Sequence, residues 1–212
     1  MMIADNADLH RAQRSFRQVL DAFARPGTVH EVEPDAEDGA RPASLDAALC
    51  ALSRLFIDQA VTFSVADAES DAAARYLASE THARRVPLKE ADFVIVPGRA
   101  DARIAADAVA QAKPGTPESP ERGATVLVGC ARLAAVSADG AAPEDGMALV
   151  TVQGPGVKDA NRFLIDRDGW ISARAERGDE FPCGIDIALV APDGAVAAIP
   201  RTSVVSVEEG VR

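Results

Sequence analysis

The chain has 212 residues, which is enough for one well-buried core. Its 33 acidic and 22 basic residues give a net charge of -11, so nucleic acid and anionic membranes are disfavoured as partners. Hydrophobic residues make up 48% of the chain and aromatic residues only 4%, which predicts an aliphatic core. The first ten residues have no apolar core, and no run of about 20 apolar residues occurs, so we expect a cytoplasmic protein.

Helix and strand patterns alternate along the chain. Several of the strands are apolar on both faces, which favours an α/β fold in which flanking helices cover a layered, mixed β-sheet. We expect one domain over residues 1–212. The predicted helices are 8–24 (capped by Asp8), 44–56 (capped by Ser44), 71–79, 101–111 and 168–177; the predicted strands are 28–32, 61–65, 91–96, 125–128, 147–152, the two arms of a hairpin within 181–202, and 204–207, with loops at 113–123 and 137–146.

The first helix has a clear amphipathic pattern. Its apolar residues fall within an arc of about 100° on a helical wheel, and we expect that arc to face the core. Arginines, including Arg17, occupy the other side, and a solvated face is favoured over an anion site there. The apolar residues are Leu9, Ala12, Phe16, Val19, Leu20 and Phe23.

The stretch 181–202 carries the strongest local pattern, with two apolar runs on either side of Asp193-Gly194. Asp-Gly between apolar runs is a strong β-hairpin signal, because both central residues of a type I′ turn need positive φ. The run 185–190 is apolar on both faces except at Asp186, which is typical of a central strand covered on both sides. We therefore predict a hairpin with a two-residue loop.

Asp186 needs a partner, since an unpaired carboxylate inside a covered strand costs several kcal/mol. A two-residue loop pairs Pro192 with Ala195 and then places Asp186 opposite Arg201. We predict an ion pair between Asp186 and Arg201, provided that no bulge at the turn shifts the register. A structural pair that fixes the hairpin is the favoured interpretation, and direct work on a substrate is the alternative.

Gly154-Pro155-Gly156 follows a predicted strand and invites comparison with a phosphate-binding loop. However, Pro155 removes one N–H donor, and no Gly-Lys-Ser/Thr sequence follows. A structural turn is therefore the favoured interpretation.

The cysteines and histidines show no metal-ligand spacing, and no serine lies in a Gly-x-Ser-x-Gly context, so we expect no metal site and find no catalytic triad. Widely spaced thiols are typical of a reducing compartment. The residues are Cys50, Cys130, Cys183, His10, His30 and His82.

The lysines argue against a pyridoxal phosphate enzyme, which needs a Schiff-base lysine in a prepared pocket. Lys89 lies in a polar turn, Lys113 precedes a proline, and Lys158 follows the Gly-Pro-Gly turn. None of the three is a convincing candidate, and we expect no cofactor.

Several stretches together match one family. They are AQRSFRQVLDAFARPGT at 12–28, GATVLV at 123–128, QGPG at 153–156, FPCGIDIALV at 181–190 and AIPRTS at 198–203. In this order and spacing the chain resembles the H subunit of bacterial carbon–phosphorus lyase, the PhnH family.

The resemblance implies a fold similar to that of the type I pyridoxal phosphate-dependent transferases, without the cofactor. It also implies a homodimer that joins the G, I and J subunits in a core complex. With the G, I and L proteins, the family supports displacement of adenine from ATP by a phosphonate, giving ribose 1-phosphonate 5-triphosphate. The resemblance implies no agreed set of catalytic residues for this subunit.

Three functional hypotheses therefore stay open. The first is an accessory, non-catalytic subunit of the phosphonate-activating complex. The second is a stand-alone enzyme, whose candidate catalytic residues Arg17, Asp186 and Arg201 would line one pocket. The third is a ligand-binding protein with a relict cleft at the dimer interface.

Overall fold

The computed structural model describes residues 6–35, 39–67, 70–136 and 146–208. The predicted polar loop at 137–146 lies outside the described residues except for its last position. The helices are α1 (Asn6–Ala24), α2 (Ala47–Phe56), α3 (Ser70–Thr81), α4 (Ala102–Gln111) and α5 (Trp170–Glu176). The strands are β1 (His30–Glu31), β2 (Thr62–Val65), β3 (Arg84–Arg85), β4 (Phe93–Val96), β5 (Thr125–Gly129), β6 (Leu133–Ala135), β7 (Ala148–Gln153), β8 (Asn161–Ile165), β9 (Asp186–Val190), β10 (Ala195–Ile199) and β11 (Val204–Glu208).

The strands form a large mixed sheet and a smaller antiparallel sheet. The large sheet has seven strands in the order β1-β10-β9-β5-β4-β2-β3. Its five strands from β9 to β3 are parallel, whereas β10 is antiparallel to β9 and β1 is antiparallel to β10. The smaller sheet has the order β11-β7-β8-β6. The expected α/β fold with a mixed sheet is confirmed, but β3, β6 and β8 were not predicted.

Neighbouring side chains on the central strands point to opposite faces and enter two separate cores. In β5, Val126 and Val128 pack with α4, α5 and the smaller sheet, while Leu127 packs with α2 and α3. In β9, Ile187 and Ala188 divide in the same way. These two side chains and the three named in β5 are all fully buried. The prediction that these strands are covered on both faces is confirmed.

The inward face of α1 only partly matches the predicted one: Val19 is buried and Phe23 packs against the core as predicted, whereas the rest of the face is rotated. It packs against β10 and β1 through Ser15, Val19 and Ala22, which are at most 2% exposed. The Ser15 hydroxyl accepts a hydrogen bond from the backbone N–H of Glu33 at 3.0 Å. Ser15 and Ala22 are small and only weakly apolar, so they did not stand out in the hydrophobic pattern of the helix.

Three large residues of the predicted core face of α1 are solvent-exposed instead. Leu9 is 51% exposed, Phe16 is 42% exposed and Leu20 is 51% exposed. Their spacing of seven and four residues places them in one stripe along the helix, which we call the α1 stripe. The predicted burial of these three residues is wrong.

The caps of the first two helices also differ from the sequence prediction. Helix α1 includes Asn6, so Asp8 lies in its first turn rather than at its cap. In α2 the cap is Asp46 instead of Ser44, because the Asp46 carboxylate accepts a hydrogen bond from the Leu49 N–H at 2.8 Å.

The predicted hairpin between β9 and β10 is present, but its loop has three residues rather than two. Ala191 donates its N–H to Ala195 at 2.9 Å, so the predicted pairing of Pro192 with Ala195 is wrong by one residue. Gly194 donates to the Ala191 carbonyl at 2.9 Å and has a φ of +96°. A turn followed by a glycine in the left-handed region is the bulged form of a three-residue hairpin loop.

No helix among the described residues is long and apolar enough to cross a bilayer.

Candidate functional site

The structure brings Asp186 and Arg201 together, as predicted, although the hairpin register differs. The Asp186 carboxylate accepts hydrogen bonds from Arg201 Nη2 at 2.6 Å, Nε at 3.3 Å and the backbone N at 2.7 Å. The shifted register places Asp186 opposite Pro200, and the arginine reaches back from the following turn. The predicted ion pair is therefore confirmed, and its predicted cross-strand pairing is wrong by one residue.

Further hydrogen bonds surround this pair, whereas the buried Ser203 hydroxyl in the same turn has no hydrogen-bond partner among the described residues. Arg201 Nη1 donates to the carbonyl oxygen of Pro120. Arg174 Nη2 donates to three carbonyl oxygens in the turn that carries Arg201, those of Pro200, Arg201 and Ser203, at 2.9–3.2 Å. The hydrogen bond with Asp186 raises the pKa of Arg201, which keeps the guanidinium charged. This network is typical of a structural clamp.

Arg17 does not join that network. It lies exposed on α1 and forms no hydrogen bond or ion pair with a described residue. Of the three candidate catalytic residues, the structure thus brings two together through hydrogen bonds and leaves the third outside that group.

A second carboxylate at the same edge of the sheet, Asp92, joins β2 to the loop that follows α4. It accepts hydrogen bonds from Lys113 Nζ at 2.5 Å, Thr62 Oγ1 at 2.7 Å and Thr62 N at 2.8 Å. Burial alone would raise the pKa of Asp92, but these donors outweigh burial and hold the pKa below its ordinary value. Asp186 and Asp92 both lie at the amino ends of the parallel strands. Ion pairs of these two carboxylates therefore hold the neighbouring loops in place at this edge of the sheet.

The cysteines and the Gly-Pro-Gly turn, which the sequence analysis considered as possible sites, have structural explanations. Burial raises the pKa of the Cys50 thiol to about 12 and raises that of Cys130 further, so both thiols stay protonated at neutral pH. The Gly154-Pro155-Gly156 turn packs on the end of α1, where a Cβ on Gly156 would collide with the Ala24 carbonyl oxygen. This close packing supports the structural interpretation of the turn. Among the described residues, no group of three His, Cys, Asp or Glu side chains is arranged to hold a metal ion.

The opposite edge, at the carboxyl ends of the parallel strands, is open. A cleft of about 570 Å³ lies there, and we call it the carboxyl-edge cleft. In open α/β sheets, ligands bind at this edge, outside the carboxyl ends of the strands. Its walls come from the segment before and at the start of α2, from the turns after β4 and β5, and from the β9–β10 loop; they include Arg41, Ser44, Asp46, Arg99, Cys130 and Pro192.

Two arginines in the wall of the cleft were missed by the sequence analysis. Arg41 precedes α2, and Arg99 follows β4 in the sequence Val-Pro-Gly-Arg. Neither forms an ion pair with a described carboxylate, and Nη1 of Arg41 is buried without a hydrogen-bond partner in the part of the chain that the structure describes. An apolar parallel strand followed directly by Pro-Gly-Arg was the available signal for Arg99. Arg41 had no comparable signal, because its place depends on how 39–46 folds.

Comparisons with known proteins agree with the sequence resemblance. The model of the family described as bacterial phosphonate metabolism protein (PhnH) matches residues 4–206. The chain belongs to the PhnH family.

Two relatives of this family member carry related names. The alpha-D-ribose 1-methylphosphonate 5-triphosphate synthase subunit PhnH of Rhizobium meliloti (strain 1021) is 32% identical over 200 residues, covering 91% of this chain and 88% of the relative. HtxG of Stutzerimonas stutzeri, named as a candidate C-P lyase subunit, is 28% identical over 197 residues, covering 91% of this chain and 85% of the relative.

Removing the Asp186 carboxylate should destabilise the fold. We expect Asp186→Ala to lower the free energy of unfolding by about 2–4 kcal/mol, because it leaves the partly buried Arg201 without its charged acceptor. Asp186→Asn should cost less, since the amide oxygen still accepts from the Arg201 N–H. The measurement is urea unfolding followed by circular dichroism. Asp107→Ala, at an exposed position of α4, is the matched control. A loss below about 1 kcal/mol for Asp186→Ala would mean that the clamp contributes little.

The stabilisation from Asp92 should depend on pH. Its pKa is lowered in the folded state, so its contribution is present above about pH 4 and is lost as the pH falls through the folded-state pKa. We expect the difference in unfolding free energy between the wild type and Asp92→Asn to shrink as the pH falls from 6 toward 3. Urea titrations across that range measure it, with Asp107→Asn as control. A difference that stays constant with pH would contradict this role of Asp92.

Proposed function

We propose that this chain is a subunit of the carbon–phosphorus lyase system for phosphonate catabolism. The observation that carries the proposal is the family match over residues 4–206. Of the two relatives described above, one is named as a C-P lyase subunit and the other as a subunit of alpha-D-ribose 1-methylphosphonate 5-triphosphate synthase. Each aligns with this chain over most of its own length, so the correspondence covers most of a subunit of that kind.

Within that system, we propose that the chain acts with the G, I and L proteins. Together they would transfer ribose triphosphate from ATP to a phosphonate and release adenine. An accessory role is supported by the chemistry of the described residues: the two buried thiols are protonated, and Asp186 and Arg201 are held to each other by three hydrogen bonds. We propose that the pair has a structural role rather than a catalytic one.

We also propose that the chain is one domain that forms a homodimer and joins the G, I and J subunits in the cytoplasm. The exposed α1 stripe supports self-association, because three large apolar side chains at helical spacing are favourable to cover. A relationship to the type I pyridoxal phosphate transferases without the cofactor is supported by the helix-covered sheet and by the lysines. Lys113 is held by Asp92, and Lys89 and Lys158 are exposed.

The test of the subunit proposal is reconstitution with one subunit left out at a time. We expect this chain to co-purify with the G, I and J subunits. We expect formation of ribose 1-methylphosphonate 5-triphosphate from ATP and methylphosphonate to need this chain together with G, I and L. Full activity without this chain would contradict the proposal, and turnover by this chain alone would identify it as an enzyme instead.

The α1 stripe gives a separate prediction about the homodimer. We expect Phe16→Glu/Leu20→Glu to convert the dimer to a monomer, because two charges would be buried in an apolar contact. Light scattering after gel filtration measures the mass, and circular dichroism checks the fold. Gln18→Glu, on the opposite side of α1, is the control. A dimer that persists in the double variant would place the interface elsewhere.

A further inference from the structure

The carboxyl-edge cleft gathers positive charge in an acidic protein. The chain has a net charge of -11, and several surface arginines pair with carboxylates, as Arg14 does with Glu33 and Arg85 does with Asp71. Arg41 and Arg99 line the cleft and have no such partner among the described residues. Two guanidinium groups from separate segments therefore line the same cleft and outnumber its one lining carboxylate, Asp46, which favours an anionic ligand.

A second observation concerns the guanidinium group of Arg41. Its Nη1 atom is buried and has no hydrogen-bond partner among the described residues. Buried donors in folded proteins are nearly always paired, and an unpaired donor on a charged group is costly. No described residue accepts a hydrogen bond from the Arg41 guanidinium, which is partly exposed and lines the cleft. An oxyanion in the cleft would supply acceptors to its accessible N–H groups, and arginine binds phosphate groups through such a planar, forked set of donors.

The other groups in the wall narrow the class of ligand. Asp46 caps α2, where its carboxylate accepts a hydrogen bond from the Leu49 N–H, so the wall carries two guanidinium charges and one carboxylate charge. The Cys130 thiol donates to the Val190 carbonyl oxygen at 3.3 Å and forms a neutral wall. The cleft volume of about 570 Å³ exceeds the size of a bare phosphate ion and falls in the range of small-molecule sites.

We propose that the carboxyl-edge cleft binds the oxyanion group of a small organic phosphate or phosphonate through Arg41 and Arg99. The choice of phosphate and phosphonate compounds rests on the proposed function. The site itself rests on the cleft and its arginines. The subunit would then contact a reactant directly, in addition to assembling with its partners.

The test is calorimetric titration of the full chain at constant ionic strength, with methylphosphonate, ATP and inorganic phosphate as probes. We expect methylphosphonate or ATP to bind and to be displaced by inorganic phosphate, and the organic probe that binds more tightly identifies the source of the oxyanion. We expect Arg41→Met/Arg99→Met to weaken binding at least about tenfold, because two charge-assisted contacts are lost. Arg84→Met/Arg103→Met, which removes two exposed charges outside the cleft wall, should bind like the wild type.

Two outcomes of the titration would overturn the inference. One is the absence of binding by the wild type for all three probes at millimolar concentration. The other is an equal affinity of the two double variants. In the complete complex, the cleft variant should raise the KM for the bound reactant while still co-purifying with the other subunits. A complex that needs this chain but is unaffected by the cleft variant would refute the site and leave the subunit role intact.

Discussion

The clamp between Asp186 and Arg201 is the interaction on which the rest of the structure depends. Asp186 begins the central strand β9, and Arg201 lies in the turn after β10, so the pair fixes the point where the hairpin enters the sheet. Arg201 also reaches Pro120, and Arg174 holds the same turn from α5. One ion pair therefore links the hairpin, the loop before β5 and a helix on one face of the sheet.

The two edges of the large sheet consequently differ in character. At the amino ends of the parallel strands, Asp186 and Asp92 are saturated by arginine, lysine, threonine and main-chain donors. At the carboxyl ends, the cleft contains Arg41 and Arg99 without carboxylate partners among the described residues. Saturated charges stabilise a fold, whereas unsatisfied charges in a cleft are available to a ligand. This division places the proposed ligand cleft opposite the edge that the sequence pattern emphasised.

Much of the architecture could be predicted from local pattern. The apolar runs that became β4, β5 and β9 were recognisable because strands covered on both faces need apolar residues at every position. The carboxylate of Asp186 stood out for the same reason. The hairpin register was missed because Asp-Gly suits both a two-residue loop and the bulged three-residue loop that forms. Strand β8 was missed because Asn161–Ile165 mixes polar and apolar residues and depends on its neighbours.

The candidate site was harder to predict, since its residues share no spacing. Arg41 and Arg99 come from loops on separate elements and meet only when α2 packs on the sheet beside the end of β4. The inward face of α1 was hidden for a related reason, because small residues such as Ser15 and Ala22 make close contacts without a strong hydrophobic signal. Hydrophobic patterns in a sequence therefore predict buried strands, but they do not predict which distant loops come into contact.

The most direct test of the claim that the carboxyl edge is the functional edge is a structure of the reconstituted complex with methylphosphonate and ATP. We expect an oxyanion within hydrogen-bond distance of Arg41 and Arg99, while the Asp186–Arg201 clamp stays closed and free of ligand. A reactant bound at the clamp, or a carboxyl-edge cleft filled by side chains of a partner subunit, would contradict it.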